Sequence, residues 1–202
     1  NSNYHKNTEA SFYEVMKKLY EFTDNHNERK PLVSDNLFEF TKKHKDYIEG
    51  IIDYERDYLI DYFGFKTLEK SYLKRDNKGS LIERPQYMWM RVALGIHGEN
   101  IEAALETYNA MSLKKITHAT PTLFHSGTLS NQFLSCFLLG MEDSIDGIYK
   151  CVADCAKISK WAGGIGFNIH DIRSKNSIVR GTNGRSSGTI PMLRVFNNTA
   201  RY

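Results

Sequence analysis

The stretch Thr117–Gly188 decides the fold of the second half of the chain; it reads THATPTLFHSGTLSNQFLSCFLLGMEDSIDGIYKCVADCAKISKWAGGIGFNIHDIRSKNSIVRGTNGRSSG. The apolar run around Cys136 predicts a strand at about 132–139. Apolar residues at helical spacing then predict a helix at about 144–161, and alternating residues predict a second strand at about 165–172. Strand, helix and strand joined through a glycine-rich turn indicate the beginning of a βαβ unit rather than a complete α/β domain.

The first half of the chain reads as helices. Apolar residues recur at helical spacing from Phe12 onward and again between Tyr47 and Leu59. Two more helices are predicted at 85–96 and 100–113, separated by Gly98. We therefore predict an α/β fold that is mostly helical, with a helical region at 1–115 and the start of an α/β unit at 116–202.

Three residues mark the starts of predicted helices. Ser34 has the side chain of an N-cap for the segment around Leu37. Pro85 stands where the first turn of a helix accepts a proline. Thr189 is predicted to cap a terminal helix that has Pro191 near its start.

Composition and charge exclude several classes of protein. Forty-one per cent apolar residues and four prolines are typical of a globular chain. A formal net charge of +3 is too small to indicate nucleic-acid binding, and the basic residues are scattered rather than gathered on one helix. No apolar run reaches the roughly 18 residues of a membrane span, and Asn1–Ala10 lacks a signal-peptide core. We expect neither a nucleic-acid nor a membrane partner.

The three cysteines, Cys136, Cys151 and Cys155, are too few for a secreted disulfide framework, so a cytoplasmic protein is expected. Cys151 and Cys155 share one helix face without a second ligand pair at zinc spacing, which favours helix packing over a metal site. Cys136 lies in a strand with apolar residues on both faces, which is typical of a strand covered on both sides. Its residue type alone leaves two interpretations open, a buried structural thiol and a redox group.

The predicted helix at 144–161 begins with an acidic cap, since either Asp143 or Ser144 can cap it. Its apolar stripe could be buried against this chain or against a partner subunit. Capping explains Asp143 without any ligand, and because an aspartate repels phosphate, a ligand contact there would involve a ribose or a base. Lys160 suits either the helix C-terminus or a phosphate.

The glycine turn and the basic loop that follow each have two interpretations. Gly163, Gly164 and Gly166 match neither the dinucleotide fingerprint nor a Walker loop, and they precede a strand rather than a helix. They indicate either a helix C-cap with close backbone packing or the approach of a ligand. The loop Arg173–Gly188 has the charge to surround a phosphate, and it also resembles an ordinary solvated loop.

Taken together, the segments resemble one family over essentially the whole chain. The chain is similar to the catalytic large subunits of class I ribonucleotide reductases of the eukaryotic type. The motifs that carry the resemblance are RDYLIDYFGFKTLEKSYL (Arg56–Leu73), ERPQYMWMRVALGIH (Glu83–His97), THATPTLFHSGT (Thr117–Thr128), SCFLL, SKWAGGIG and the final RGTNGRSSGTIPMLRVFNNTARY. The resemblance implies an N-terminal helical region followed by the first strands of a ten-stranded α/β barrel.

The resemblance also implies roles for individual residues. Cys136 matches the strand cysteine that reduces the substrate and ends in a redox-active disulfide. The positions that match substrate contacts are Thr120, Ser135, Gly163 and Gly164. The positions that match the site of the allosteric nucleotide are Asp143, Ser144, Ile145, Lys160, Arg173, Arg180 and Gly181.

The implied enzyme reduces ribonucleoside diphosphates to deoxyribonucleoside diphosphates for DNA synthesis. It is regulated by ATP, dATP, dGTP and dTTP, receives its radical from a di-iron small subunit and is reduced by thioredoxin or glutaredoxin. It forms a homodimer through the helix at 143–161. The radical cysteine and the second redox cysteine would follow Tyr202, so we expect this chain to be an N-terminal piece that is inactive alone, with no cofactor or metal bound in it.

Two departures from the family pattern and three rival interpretations remain at this point. Arg180 stands where the family often has a small residue, so a backbone contact is expected there, and Trp161 also replaces a commonly small residue. The main rival is a nucleotide-binding regulatory or dimerisation module without catalysis of its own. A helical nucleic-acid-binding protein and a relative that uses a glycyl radical are the other two. The scattered basic residues argue against the first, and the eukaryotic-type motifs argue against the second.

Overall fold

The computed structural model describes residues 11–201 and divides the chain into two compact units, Asn1–Phe133 and Leu134–Tyr202. This boundary lies later than the division predicted at 115/116, because the short helix Thr120–His125 packs against Pro85–His97 of the first unit. The signal-peptide prediction concerns Asn1–Ala10, which lies outside the described residues. Within 11–201, no helix is long and apolar enough to cross a lipid bilayer.

Helices alone make up the regular structure of the first unit, apart from isolated bridges, in the part that is described. One of them, Tyr54–Leu59, is a 3₁₀ helix. The α-helices are α1 (Phe12–Tyr20), α2 (Asp35–Lys43), α3 (Lys45–Ile51), α4 (Tyr62–Ser71), α5 (Pro85–His97), α6 (Ile101–Ser112) and α7 (Thr120–His125).

Most of the predicted helices are confirmed, and their ends follow the capping chemistry. Ser34 caps α2 by accepting a hydrogen bond from the backbone N–H of Leu37, and Pro85 is the first residue of α5. The single helical segment predicted between Tyr47 and Leu59 is wrong. The chain becomes extended at Ile52, and the Asp53 carboxylate then caps the separate 3₁₀ helix.

Helix α5 is the centre of the first unit. All ten residues of Pro85–Leu94 are buried, so this helix is covered on every side. Its neighbours include α2, α6, α7 and the 3₁₀ helix. Close packing is visible at Gly95, where an added Cβ would lie 2.2 Å from the backbone nitrogen of Gly127. A side chain at position 95 would therefore push α5 away from the turn after α7.

An ion pair between Glu83 and Arg91 lies inside this core, with both side chains fully buried. The Arg91 Nε donates to Glu83 Oε1 at 2.6 Å and its Nη2 donates to Oε2 at 3.2 Å. The remaining Nη1 donates to the carbonyl oxygens of Ser126 and Leu123. The Glu83–Arg91 pair is therefore bidentate and fully hydrogen-bonded, as a buried charge requires. Arg91 also affects a neighbouring group: burial, followed by repulsion from Arg91, lowers the pKa of the Lys74 ammonium to about 8.

The second unit contains a strand–helix–strand crossover and a terminal helix. Its elements are β1 (Cys136–Leu139), α8 (Ile145–Lys160), β2 (Gly164–Phe167) and α9 (Thr189–Thr199). The two strands pair in parallel, with Cys136 opposite Gly164 and Leu139 opposite Phe167. Met141, Cys151 and Phe196 form a small core on which Ile148 and Val152 of α8 also pack. The predicted α/β fold with a large helical part is confirmed.

Three details of the second unit differ from the sequence-based expectations. Both strands are shorter than predicted, since only four residues of each satisfy the parallel ladder. Cys136 is exposed rather than covered on both sides, because the described residues pair β1 with β2 alone. Thr189 is the first residue of α9 and not its cap; Gly188 occupies the cap position without a side-chain hydrogen bond.

Replacing Glu83 with glutamine should lower the free energy of unfolding by about 3–5 kcal/mol, because Arg91 would keep its charge in the core without a carboxylate. Urea unfolding followed by circular dichroism measures this loss. Glu39→Gln is the matched control, since the Glu39 carboxylate lies 3.8 Å from the Lys42 ammonium at the surface. The loss of unfolding free energy in this control should stay below about 1 kcal/mol. Equally small losses in both variants would contradict the stabilising role of the buried pair.

Candidate functional site

The parallel pairing of β1 and β2 brings the candidate reductive thiol beside the glycine turn. Cys136 lies opposite Gly164 in the strand register, and the backbone N–H of Gly164 donates to the Ser135 carbonyl at 2.6 Å. The Ser135 hydroxyl lies 3.7 Å from the Cys136 sulfur. Ser135, Cys136, Gly163 and Gly164 therefore form one continuous patch at the amino-terminal ends of the two strands.

The glycine turn itself is explained by packing. Helix α8 ends in a Schellman motif, in which the N–H of Ala162 donates to Ser159 and the N–H of Gly163 donates to Ile158. Ala162 carries the left-handed conformation with φ of 60°, a role that glycine usually fills. An added Cβ on Gly163 would lie 2.6 Å from Ile158 and 2.8 Å from the Phe137 ring. Close packing thus accounts for Gly163 without a ligand.

The two other cysteines lie on α8 and are in a different environment. Cys151 is buried in the small core, and Cys155 is partly buried one helical turn later. Burial, reinforced by the neighbouring Cys151 thiol, raises the pKa of Cys155 to about 11. A thiol of that pKa is almost entirely protonated at neutral pH and is a poor nucleophile. The helix-packing interpretation of this pair is consistent with that chemistry.

Thr120 belongs to the first unit and is positioned there by α4 and α7. It is the first residue of α7, and its hydroxyl lies 3.0 Å from the hydroxyl of Tyr72. The Tyr72 ring in turn lies 5.1 Å from the ring of Phe124. The Thr120 side chain is therefore oriented by a hydrogen bond within its own unit.

A cavity of about 830 Å³ lies at the opposite, carboxyl-terminal ends of the strands. It is bounded by the start of α8, the basic loop and the start of α9. Five of the seven residues proposed for the allosteric nucleotide line it, namely Asp143, Ser144, Ile145, Arg173 and Arg180. Its size is within the range of small-molecule binding sites.

The two possible caps of α8 have separate roles at this cavity. Ser144 is the N-cap, because its hydroxyl accepts a hydrogen bond from the backbone N–H of Gly147 at 3.0 Å. Asp143 instead accepts from Arg173, whose Nε lies 2.7 Å from the carboxylate, while the Arg173 Nη2 donates to the Asp143 carbonyl. The acidic side chain therefore connects the helix start to the loop and is not needed for capping.

The basic loop is held in a hairpin-like shape at the edge of the cavity. Ile178 and Arg185 form an antiparallel bridge, and the N–H of Val179 donates to the Gly184 carbonyl. The guanidinium of Arg185 donates to the Asn176 carbonyl at 3.1 Å. Gly181 has φ of 90° and does not line the cavity. The hairpin thereby presents Arg180 at the cavity.

Lys160 is not brought to the cavity within one chain. It is the last residue of α8, about 22 Å along the helix axis from the first. Its ammonium lies 5.3 Å from the centre of the Trp161 ring, a cation–π distance. On α8, Ile148 and Val152 pack inward, whereas Ile145 and Tyr149 are 72 % and 57 % exposed. The apolar stripe is thus divided between a covered face and a solvent face.

Comparison with known proteins decides the family. The model of the ribonucleotide reductase all-alpha domain matches residues 58–131, and the model of the ribonucleotide reductase barrel domain matches residues 134–202. The chain belongs to the ribonucleotide reductase large-subunit family. The junction between these two matched ranges coincides with the boundary between the two compact units.

Relatives in this family align along the chain. The ribonucleoside-diphosphate reductase large subunit of Dictyostelium discoideum is 58 % identical over all of this chain. The large chain of Schizosaccharomyces pombe is 54 % identical over all of it, and the large subunit of Plasmodium falciparum is 55 % identical over 99 %. The chain covers 23 %, 25 % and 25 % of these proteins, respectively, so it spans about a quarter of the length of the curated relatives.

Sequence reasoning missed part of the cavity in this ribonucleotide reductase segment. Ile148, Ile172 and Met192 supply an apolar wall that the seven proposed residues do not include. Ile148 belonged to the predicted helix stripe, but periodicity does not distinguish a cavity wall from a core contact. Met192 lies on the terminal helix, and only the folded chain shows that α9 approaches α8.

Replacing Gly163 with alanine should lower the free energy of unfolding by about 1–3 kcal/mol, since the new methyl group would overlap Ile158 and the Phe137 ring. Gly140→Ala is the matched control, because a Cβ there meets nothing within 4 Å. Thermal or urea unfolding of both variants measures the difference. If Gly163→Ala were as stable as Gly140→Ala, the packing explanation of the glycine turn would fail and ligand approach would remain.

Proposed function

We propose that this chain is part of an enzyme that reduces ribonucleoside diphosphates to deoxyribonucleoside diphosphates for DNA synthesis. The observation that carries the proposal is the exposed Cys136 thiol beside the glycine turn of Gly163 and Gly164. The relatives that align with the whole chain are named ribonucleoside-diphosphate reductase large subunits. Thr120 and Ser135 complete the proposed set of substrate contacts.

The reaction explains why a thiol is needed at this position. Replacing a ribose 2′-hydroxyl with hydrogen requires two electrons and two protons, and water leaves. Two thiols supply these electrons when they are oxidised to one disulfide. Cys136 provides one thiol of the pair. Its partner must come from the part of the protein outside this chain, because Cys151 and Cys155 lie on α8, and burial suppresses the reactivity of Cys155.

The relatives are named large subunits, which supports a small subunit as partner of the whole protein. As part of this proposal, that small subunit holds a di-iron centre and supplies the radical, and thioredoxin or glutaredoxin reduces the disulfide after each turnover. The three cysteines are free thiols, which agrees with a cytoplasmic location.

The cavity at the start of α8 is proposed to bind the allosteric nucleotide, one of ATP, dATP, dGTP and dTTP. Its apolar wall suits a base, and its arginines suit phosphates. A homodimer through the helix at 143–161 accounts for two further observations. A twofold axis that pairs two α8 helices antiparallel would cover Ile145 and Tyr149, and it would bring Lys160 of one copy to the cavity of the other.

A second candidate function is a nucleotide-binding regulatory or dimerisation module without catalysis of its own. The observation in its favour is that the cavity is lined entirely by the second unit, whereas Cys136 lacks a disulfide partner on its strand pair. The two candidates differ in whether the full-length protein produces deoxynucleotides.

In the full-length protein, Cys136→Ser should abolish sustained reduction of ribonucleoside diphosphates while leaving the fold intact, because serine has nearly the same size but cannot form a disulfide. Deoxynucleotide production with small subunit and dithiol present is the measurement. Cys155→Ser is the matched control and should retain activity. Normal multiple turnover by the Cys136 variant would return this residue to the structural-thiol interpretation and favour the regulatory module.

Asp143→Ala in the full-length protein should change which substrate each nucleotide favours, because it frees Arg173 and removes a polar contact from the cavity. Substrate ratios measured with dTTP, dGTP and ATP test this. Asp146→Ala removes an equal charge from the first turn of α8 without touching the cavity lining, so it should leave the ratios unchanged. Basal activity should survive in both variants. Unaltered ratios in the Asp143 variant would argue against the cavity as the regulatory site.

A further inference from the structure

The segment that follows α4 is tied to both ends of α7. At one end, the Tyr72 hydroxyl lies 3.0 Å from the Thr120 hydroxyl. At the other, the Tyr72 ring lies 5.1 Å from the Phe124 ring, and the Lys74 ammonium donates to the Phe124 carbonyl at 3.2 Å. Because these contacts are spread along one short helix, they fix its rotation, and the Thr120 side chain meets Tyr72 in a defined geometry.

The backbone that carries Tyr72 is itself anchored. The next residue, Leu73, is buried in the hydrophobic core of the first unit. The Lys74 carbonyl accepts hydrogen bonds from the N–H groups of Ile82 and Glu83, and the Lys74 N–H donates to the Glu83 carboxylate at 3.1 Å. The Tyr72 hydroxyl is therefore presented to Thr120 from a segment that the core holds in place.

The direction of the hydrogen bond between these two hydroxyls decides what Thr120 can offer a ligand. A hydroxyl has one hydrogen to donate and two lone pairs that accept. If Thr120 donated to Tyr72, its hydrogen would be used, and it could only accept from a ligand. A phenol is more acidic than an aliphatic alcohol and is the stronger donor, so Tyr72 donates and Thr120 accepts. The Thr120 hydrogen then remains for a third group.

The Thr120 side chain is able to meet such a group. It is only half-buried, so part of it is open to a ligand. The diphosphate of a ribonucleoside diphosphate is ionised at neutral pH and offers acceptor oxygens, and the ribose and base carry further acceptors. A Thr120 hydroxyl that donates outward matches this chemistry, whereas one that only accepts would repel an ionised oxygen.

We propose that Tyr72 is a positioning residue whose hydroxyl donates to Thr120 and thereby directs the Thr120 hydrogen at an acceptor oxygen of the ribonucleotide substrate. This inference rests on the proposed contact between Thr120 and the substrate. It adds the residue that sets the direction of that contact. Tyr72 itself touches Thr120 and Phe124, and it acts on the substrate through Thr120 alone.

The test measures steady-state reduction of a ribonucleoside diphosphate by the full-length protein, with small subunit, dithiol and saturating effector present. Tyr72→Phe keeps the ring against Phe124 and removes only the hydroxyl. It should raise KM about threefold to tenfold, as expected when one hydrogen bond to the substrate loses its orientation. The value of kcat should stay within about twofold, because the lost contact serves binding rather than the chemical step.

Tyr62→Phe is the matched control. It removes a hydroxyl from another tyrosine of the same part of the chain, at the start of α4, where the side chain is 76 % exposed. This variant should leave KM unchanged. Thermal unfolding of Tyr72→Phe should match that of Tyr62→Phe, since the packing of the Tyr72 ring is kept.

A double-variant cycle tests whether Tyr72 acts through Thr120. Thr120→Val removes the hydroxyl at nearly constant shape and should raise KM at least as much as Tyr72→Phe. In the Thr120→Val background, Tyr72→Phe should change KM by less than about twofold, because the group that it orients is already absent. Thr120→Ser restores a hydroxyl and should recover most of the KM that Thr120→Val loses, provided that Tyr72 is present.

The outcomes distinguish this inference from the proposed function. If Thr120→Val raises KM but Tyr72→Phe behaves like Tyr62→Phe, the role of Tyr72 is overturned and the substrate contact of Thr120 stands. Equal effects of Tyr72→Phe with and without the Thr120 hydroxyl, or a fall in kcat together with thermal stability, also overturn it. If neither residue changes KM, both the inference and the Thr120 contact are overturned. Failure of the unchanged protein to form deoxynucleotides would instead overturn the proposed enzyme.

Discussion

The parallel pairing of β1 with β2 is the constraint on which the second unit depends. Parallel strands cannot be joined by a tight turn, so the chain must return along a crossover helix, and α8 is that helix. The crossover places the two groups of candidate site residues at opposite ends of the strands. Cys136 and the glycine turn lie at the amino-terminal ends of the strands, whereas the start of α8 and the basic loop lie at the carboxyl-terminal ends, where ligands of open parallel sheets bind.

The same pairing explains the composition of the turn between α8 and β2. Gly164 must bring its backbone within 2.6 Å of the Ser135 carbonyl to begin the ladder. Gly163 passes between Phe137 and Ile158 with no room for a methyl group. The helix can end so sharply only because Ala162 accepts a left-handed conformation, which costs an alanine on the order of 1 kcal/mol. Packing alone therefore dictates much of this motif, and the presence of a glycine here is by itself weak evidence for a ligand.

Local signals in the sequence predicted local structure well. Ser34 and Pro85 mark helix starts because capping depends on neighbouring residues only. Properties that depend on distant residues were less predictable. The exposure of Cys136 depends on which elements lie beside β1, and strand periodicity carries no information about them. The pairing of Asp143 with Arg173 joins positions thirty residues apart, so the sequence left open whether Asp143 caps the helix or binds elsewhere.

In the first unit, the buried Arg91 fixes the position of helix α7. Helix α7 has only six residues, too few to be stable by itself in water. The carbonyl groups at its carboxyl-terminal end would lack hydrogen-bond partners in the core. The Arg91 guanidinium is their partner, since it donates to the carbonyl oxygens of Leu123 and Ser126. The charge that makes Arg91 a good donor is in turn balanced by Glu83. The ion pair thus holds α7, and with it Thr120 at the other end of that helix, in place within the first unit. This is a reason for the core to retain charged groups where apolar ones would pack as well.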